Sequence, residues 1–544
     1  MNTPMNTSPK LTSSAMAVVA LLISFSGWSQ SDPVTPWHLS AYEVDGIPGI
    51  ALPQALALLN DRHPQTTVKV AILDGGIDYD HDALASSIYT NALEIPGNGI
   101  DDDGNGYADD VHGWNFVVDS LGENIHMARY EAVYIKHLHD SLTRSKLPMP
   151  QWLEDIDMEL VEDEFRNIKE YGDDCWFWTS IYLEYAMPFT DVTGDYPDNF
   201  EEIWFHRKSI ELDRGQRKFL KILMEDGIAL DDLTYYLEQN WNMDEYWMNP
   251  HFNPRAADEP ETGYGNPLAD EKYDDHGTHV AGIIGADRLP GSESYGIAAG
   301  LVELIPIRMV VSGDELDKDV ANAIRYAVDA GADIINMSFG KYVSTHPDSV
   351  RAAFQYAAEH DVLLVHAAGN EATNIDNWPF YPNPGRLRNV DSIFVNVGAS
   401  SSSYDATLLA EFSNYGKRQV DLFAPGIDIL STGLEGAYIR NSGTSMAAPV
   451  VAGVAALLMA HYPEFSAAEI KGILMASVQK PDFKVLPPDV PLDEFIMALP
   501  MKRFCKSGGI VNARQAVLEA ESILAEREAD LAAKEAVLIN EPFE

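Results

Sequence analysis

Short, nearly unbroken apolar runs of strand length recur along the chain, separated by stretches whose apolar residues fall three and four apart. Val68-Lys69-Val70-Ala71-Ile72-Leu73 is the first run; Leu304 to Val310, Asp333 to Met337, Val362 to His366 and Ile393 to Val397 follow. Runs without polar alternation suit strands buried on both faces. Helical spacing marks Leu52 to Leu59, Asp319 to Ala330 and Ser349 to Glu359, and the Ala-rich run from Ser445 to His461 reads as a buried helix. Ser466-Ala467-Ala468-Glu469 has the spacing of a capping box. Glu519 to Leu538 reads as an acidic, Ala-rich surface helix. Strand and helix in alternation predict an α/β fold, its parallel sheet covered on both faces.

Two segments break the rhythm. From 117 to 270 the chain turns acidic and aromatic, with helical spacing at Phe219-Leu220-Ile222-Leu223 and at Leu230-Leu233-Tyr236-Leu237. This is read as a mostly helical insertion, either a lid or specificity element or an appendage whose aromatics form a core of their own. At the other break, Ala15 to Phe25 is an apolar run too short to span a bilayer comfortably, with Lys10 before it. It predicts a signal peptide over residues 1–30, and hence a protein that is secreted, extracellular or periplasmic, with no stable membrane insertion once the signal is cut. The expected organisation is 1–30, 31–116, 117–270, 271–518 and an acidic helical tail over 519–544.

Composition narrows the partners. A chain of 544 residues with 46% hydrophobic content can bury a large core, and a net charge of −47 would repel nucleic acid. Two cysteines, Cys175 and Cys505, make no disulfide framework. A monomer is expected.

Three places carry chemistry. The first strand run ends in Asp74-Gly75-Gly76-Ile77-Asp78, an acid where open α/β sheets place their sites, though also a common strand–loop junction. Asp274-Asp275-His276-Gly277-Thr278-His279 sets two histidines before a helix of small and branched residues; the zincin pattern His-Glu-x-x-His is not there. Asn441-Ser442-Gly443-Thr444-Ser445-Met446-Ala447-Ala448-Pro449 places Ser445 in the first turn of the buried helix. A serine there can attack a carbonyl while its own N–H faces the oxyanion that forms, or it can simply cap a core helix. Together Asp74, His276 and Ser445 supply an acid, a base and a nucleophile.

An acidic loop, Asn98 to Asp110, adds a fourth element. Asp101, Asp103 and Asn105 place oxygen ligands at alternate positions, with glycines between and Asp109 further on. This is like the first half of a calcium loop without the closing glutamate of an EF-hand, and an ion-free turn has the same composition. A structural calcium is the expected ion, with no cofactor for catalysis.

The motifs Val70-Ala71-Ile72-Leu73-Asp74-Gly75-Gly76-Ile77-Asp78, His276-Gly277-Thr278-His279-Val280-Ala281-Gly282 and Gly443-Thr444-Ser445-Met446-Ala447-Ala448-Pro449 resemble those of the subtilisin-like serine proteases, the subtilases. Ala367-Ala368-Gly369-Asn370 matches the segment bearing that family's oxyanion asparagine. The resemblance covers about 36–112 and 272–518. It implies a three-layer fold and a serine endopeptidase acting on polypeptides: Ser445 as nucleophile, His276 as base, Asp74 orienting it, and Asn370 with the Ser445 N–H binding the oxyanion. It also implies a cleft lined by Ser338, Phe339, Gly340, Ala367, Ala368 and Gly369, with Glu371 near the floor of the first pocket.

Three departures stand out. Gly75 replaces the family's usual Thr or Ser. Asp74 and His276 lie 202 residues apart, against a few tens in the family core. About 30 residues between signal and catalytic segment leave no room for the usual pro-domain; the insertion is expected to take over part of that role or to narrow the cleft against large substrates. Other functional classes stay open: a latent or non-catalytic peptide-binding protein on this scaffold, or an acyl-transferring ligase.

Overall fold

The computed structural model describes residues 36–119, 121–193, 197, 199–210, 212–225, 239–254, 263–270, 272, 274–289, 294–488 and 497–540. The expected signal peptide and the helical spacing at Leu230–Leu237 lie outside the described residues. The chain divides into two compact units, one taking in Arg129–Asn253 and the other Asp32–Ala128 and Pro254–Glu544.

The larger unit is built on a seven-stranded parallel sheet: β1 (Val68–Asp74), β2 (Trp114–Asn115), β3 (Val302–Arg308), β4 (Ile334–Met337), β5 (Leu363–Ala367), β6 (Phe394–Ser400) and β7 (Leu422–Pro425). Their spatial order is β2-β3-β1-β4-β5-β6-β7, so the topology changes direction at β1, beside β4. Ligands of open α/β sheets bind at the carboxyl ends of strands near such a switch point. All residues of β4 to β7 are buried, as parallel strands covered on both faces must be.

Helix α1 (His276–Gly285) packs against α4 (Thr444–His461), and α4 also lies on β1 and on β4 to β7. Helices α2 (Asp317–Asp329) and α3 (Pro347–Glu359) pack on each other, α2 also meeting β1 and β3, and α3 meeting β5. Helix α5 (Ala467–Ala476) starts with the expected capping box, Ser466 with Glu469. The expected surface helix at Glu519 is the continuation of α6 (Ala513–Asn540), whose first turns bury Ala516, Val517 and Ala520.

The smaller unit is helical over its described residues, with helices Glu131–Ser145, Gln151–Glu154, Met158–Thr193, Phe200–His206 and Arg214–Glu225. Trp178, Tyr182, Tyr185, Phe189, Phe200, Ile203, Leu220 and Leu223 form its own apolar core. Aromatic residues here are therefore mainly structural, although Trp176 and Trp241 are each 65% exposed.

The boundaries of this unit are narrower than the 117–270 read from composition. Residues 117–128 and the described part of 254–270 return to the sheet. Phe116 N–H donates to Arg308 O (2.9 Å), and Asn115 and Asn266 exchange backbone hydrogen bonds (2.9 and 3.0 Å). The Tyr264 hydroxyl donates to buried Asp319 at 2.5 Å. The buried Arg308 guanidinium gathers the carbonyls of Val117 (3.1 Å) and Ile125 (2.5 Å) together with the Asn115 side chain (3.1 Å). Cys175 and Cys505 are both free and buried.

Candidate active site

Asp74 ends β1 and is 2% exposed. Its Oδ1 accepts the Gly75 N–H at 2.7 Å. The hydroxyl that Gly75 lacks is thus not replaced in kind; the backbone amide of the same residue holds the carboxylate. The second holder is His276, first residue of α1, whose Nδ1 lies 2.9 and 3.1 Å from the two Asp74 oxygens. An ionised carboxylate only accepts, so the Nδ1 carries the proton and a neutral ring has its lone pair on Nε2. Gly277 makes the approach feasible, since a Cβ there would lie 2.1 Å from Gly76 O and 3.2 Å from Asp74 Cβ.

Charge around His276 sets its protonation. Burial works against the imidazolium, but Asp74, then Asp274 and Asp275, outweigh it and raise the pKa to about 9. His279, one turn on, is different. It is fully buried, its Nε2 donates to Ile429 O (2.9 Å), and burial pushes its pKa down to about 4. It is a core histidine, which settles the paired-histidine motif as one functional candidate and one packing residue.

Ser445 is the second residue of α4. The Thr444 N–H is taken by Asn370 Oδ1 (2.8 Å), and the Met446 and Ala447 N–H groups by Gly443 O. The Ser445 N–H is left as the open donor of that first turn. The Thr444 hydroxyl also donates to Asn370 Oδ1 (3.0 Å) and accepts the Gly369 N–H (3.1 Å). With its oxygen held twice, Asn370 can offer only its Nδ2 elsewhere. A Cβ on Gly443 would lie 3.6 Å from both that Nδ2 and the Ser445 N, so the two donors flank one small space. The Ser445 hydroxyl donates to Ser338 O at 3.1 Å, and the Ser338 hydroxyl to Ser445 O at 2.9 Å. To serve His276 the Ser445 hydroxyl has to turn from that carbonyl.

These groups open on one cavity of about 320 Å³, lined by Asp74, His276, Asn370 and Ser445 and by Ser338, Phe339, Gly340, Ala367 and Gly369. Ala368 departs from expectation: it packs, fully buried, in an apolar cluster with Ile375 and Phe423. Successive residues of an extended segment point to opposite sides, so its neighbours face the cleft and it does not. Glu371 stands on the wall, exposed, its Oε2 accepting from the Tyr342 hydroxyl and Asn414 Nδ2, each at 2.7 Å.

Sequence reasoning missed Phe380, His126, Arg308 and Glu315, all of which line the cavity. Phe380 sits in Trp378-Pro379-Phe380-Tyr381-Pro382, which has no periodicity to point inward. Arg308 had a signal, a lone cation in an apolar strand; its Nε donates to Gly75 O at 3.1 Å. Glu315 is 4% exposed with an unpartnered Oε1, and burial pushes its carboxyl up to about 8.

The acidic loop is ordered by its own amides. Asp101 accepts from the N–H groups of Gly104, Asn105 and Gly106, and those bonds, Gly106 first, hold its carboxyl below the usual range. Oxygens of Glu94, Asp101 and Asp103 lie within 4.8 Å of one another. Asn105 Oδ1 accepts the Tyr107 N–H (2.8 Å), and the Asp109 carboxylate turns to the Asn98 and Gly99 N–H groups (3.0 and 2.7 Å). Among the described carboxylates, Glu94 joins Asp101 and Asp103 of the four residues read from spacing in one convergent set. Three hard oxygens suit calcium chemistry.

Comparison with known proteins agrees with this reading of the fold. A model of the subtilase family matches residues 65–487. The chain is 39% identical over 199 residues to "Thermophilic serine proteinase" of Bacillus sp. (strain AK1), covering 36% of this chain and 46% of that one. It is 37% identical over 204 residues to "Major intracellular serine protease" of Bacillus subtilis (strain 168), covering 37% and 60%. Against "Thermitase" of Thermoactinomyces vulgaris it is 38% identical over 186 residues, covering 34% and 60%. The chain thus spans about half the length of these relatives. A solved cold-adapted subtilisin-like serine proteinase is 34% identical, with 39% of this chain and 71% of that one covered and a TM-score of 0.33. From the match over residues 65–487, the chain belongs to the subtilase family.

Proposed function

We propose that the protein is a serine-type endopeptidase, with Asp74, His276 and Ser445 as its triad. The observation that carries this is the short Asp74–His276 contact opening on the cavity that also holds Ser445 and the Asn370 amide. Ser445 Oγ attacks the peptide carbonyl and His276 Nε2 takes its proton. The oxyanion forms between the Ser445 N–H and Asn370 Nδ2, donors already fixed before substrate arrives. His276 returns the proton to the leaving amine, and water repeats the sequence on the acyl-enzyme. Asp74 stays ionised and stabilises the imidazolium. The test is labelling with a fluorophosphonate, mapped by mass spectrometry, beside hydrolysis of casein and of short peptides. Modification of Ser445 together with cleavage supports the reading; a folded protein that is neither labelled nor active refutes it.

Local charge gives this chemistry a direction in pH. A base must be neutral, and a raised His276 pKa keeps it protonated until alkaline conditions. kcat/KM, which reports the free enzyme, should climb through an apparent pKa of about 9. Asp274→Asn keeps an acceptor for the His276 N–H, now bonded at 2.9 Å, but removes one charge. Its midpoint should move to lower pH. An unmoved midpoint in the pH–rate profile would show that Asp274 does not set it.

Calcium on the acidic loop, held by Glu94, Asp101 and Asp103, is part of the same proposal, as a stabiliser outside the reaction. An ion present at about 100 times its Kd adds about 2.7 kcal/mol to the folded state. Chelation should then lower Tm by several degrees, and Asp101→Asn should abolish that response. Equal melting curves in calcium and in chelator would count against the ion. Export is proposed from the N-terminal pattern; the names of relatives include both a cell wall-associated and an intracellular protease.

A further inference from the structure

We propose that Phe380 closes the first specificity pocket and restricts cleavage to bonds that follow a small side chain, glycine, alanine or serine. This rests on the protease reading above and names its substrate class. The two walls of that pocket continue from neighbouring parallel strands: Ser338-Phe339-Gly340 from β4 and Ala367 to Gly369 from β5, paired through Met337 and His366. Both walls end in glycine, where a slot between them could admit a substrate side chain.

The Phe380 ring occupies that slot. A Cβ on Gly340 would lie 2.5 and 2.6 Å from its Cε1 and Cζ, and a Cβ on Gly369 would lie 2.8 Å from its Cζ. One ring edge thus touches both walls at the level where neither has a side chain. A large side chain entering between the walls would meet the ring.

The ring is not free to move. It meets Tyr342 edge-on at 5.1 Å between centroids and lies 5.9 Å from His366. The next residue, Tyr381, exchanges backbone hydrogen bonds with Lys341 (2.9 and 2.8 Å), so the segment bearing the plug is tied to the residue after Gly340. Glu371, the other candidate for the pocket floor, is held to the wall by Tyr342 and Asn414. The ring, an apolar group, is what a substrate side chain would meet.

The experiment compares peptides identical except for the residue before the cleaved bond: Ala, Ser, Leu, Phe or Lys. Wild type should favour Ala over Phe in kcat/KM by on the order of 100-fold. Phe380→Ala should raise kcat/KM for the Leu and Phe peptides relative to the Ala peptide by roughly 10- to 100-fold. Phe380→Leu, a gentler change should the alanine variant not fold, should shift the profile in the same direction by less. Equal wild-type rates after Ala and Phe would overturn the plug, as would an unchanged profile in a folded variant. Fluorophosphonate labelling separates the two levels. Labelled Ser445 with a flat peptide profile defeats only the plug, whereas no labelling and no cleavage defeats the protease reading with it.

Discussion

Ser445→Ala should lower kcat for peptide hydrolysis by about a million-fold, with KM within a few-fold of wild type, an effect of the size found in a related enzyme of the same chemistry. The asymmetry follows from the site. Alanine retains the backbone N–H that, with Asn370, is proposed to bind the oxyanion, and the cavity keeps its walls. What disappears is the hydroxyl proposed to form the acyl-enzyme. The Ser445 hydroxyl also bonds Ser338 O (3.1 Å), but that acceptor is a wall carbonyl whose loss leaves the ground-state complex nearly unchanged. Steady-state kinetics on one short peptide measure both parameters. A fall of less than about a hundred-fold would mean that another group is the nucleophile, and the triad would have to be abandoned.

Asp74→Asn should cost about ten-thousand-fold in kcat, the loss seen when the equivalent acid of another triad is replaced by its amide. Asp74 now serves two donors, the Gly75 N–H at 2.7 Å and the His276 Nδ1–H at 2.9 Å. An amide has one acceptor oxygen to place between them. If its NH₂ faces the ring, the imidazole must put its own proton on Nε2, where it cannot accept one from Ser445. The pH profile distinguishes this from general damage. Asp74 is the largest of the influences raising the His276 pKa, so its loss should move the midpoint well below about 9 while the plateau falls. A reduced plateau with an unmoved midpoint would place the role of Asp74 elsewhere.

The parts of this architecture that could be read from sequence are those where chemistry or periodicity restricts residue type. Runs such as Val68 to Leu73 have one stable environment, and a parallel sheet followed from their number. Asp74, His276, Asn370 and Ser445 had to be those types to do what the motifs imply, and they face one cavity. The limits of the helical unit were less legible. Residues 117–128 carry two acids, Asp119 and Glu123, and no strand-length apolar run to mark them as part of the sheet unit, yet their backbone is held by Arg308 from a strand nearly two hundred residues later. Glu94 was missed for a similar reason, since it meets Asp101 and Asp103 from outside the Asp/Gly/Asn-rich segment. Phe380 could not be found from spacing at all. Its position depends on the pairing of Tyr381 with Lys341, a contact that no local pattern encodes.

Helix α4 has a consequence for how the protein is made. All seven strands of the sheet are complete in the chain by Pro425, before α4 begins at Thr444. A ribosome therefore releases every strand, with α2 and α3, before the helix that covers β1 and β4 to β7. Until then α1 reaches β1, but the face over β4 to β7 still lacks this helix and is open to self-association. The late helix is also long and apolar enough to cross a membrane, with 89% of its span buried once folded. Covering that face of the sheet and delivering Ser445 are thus one event, with α5 and α6 still to add Ile470, Ala516 and Val517 to the core. On the proposed mechanism, a chain that still lacks α4 has no Ser445 with which to cut its neighbours.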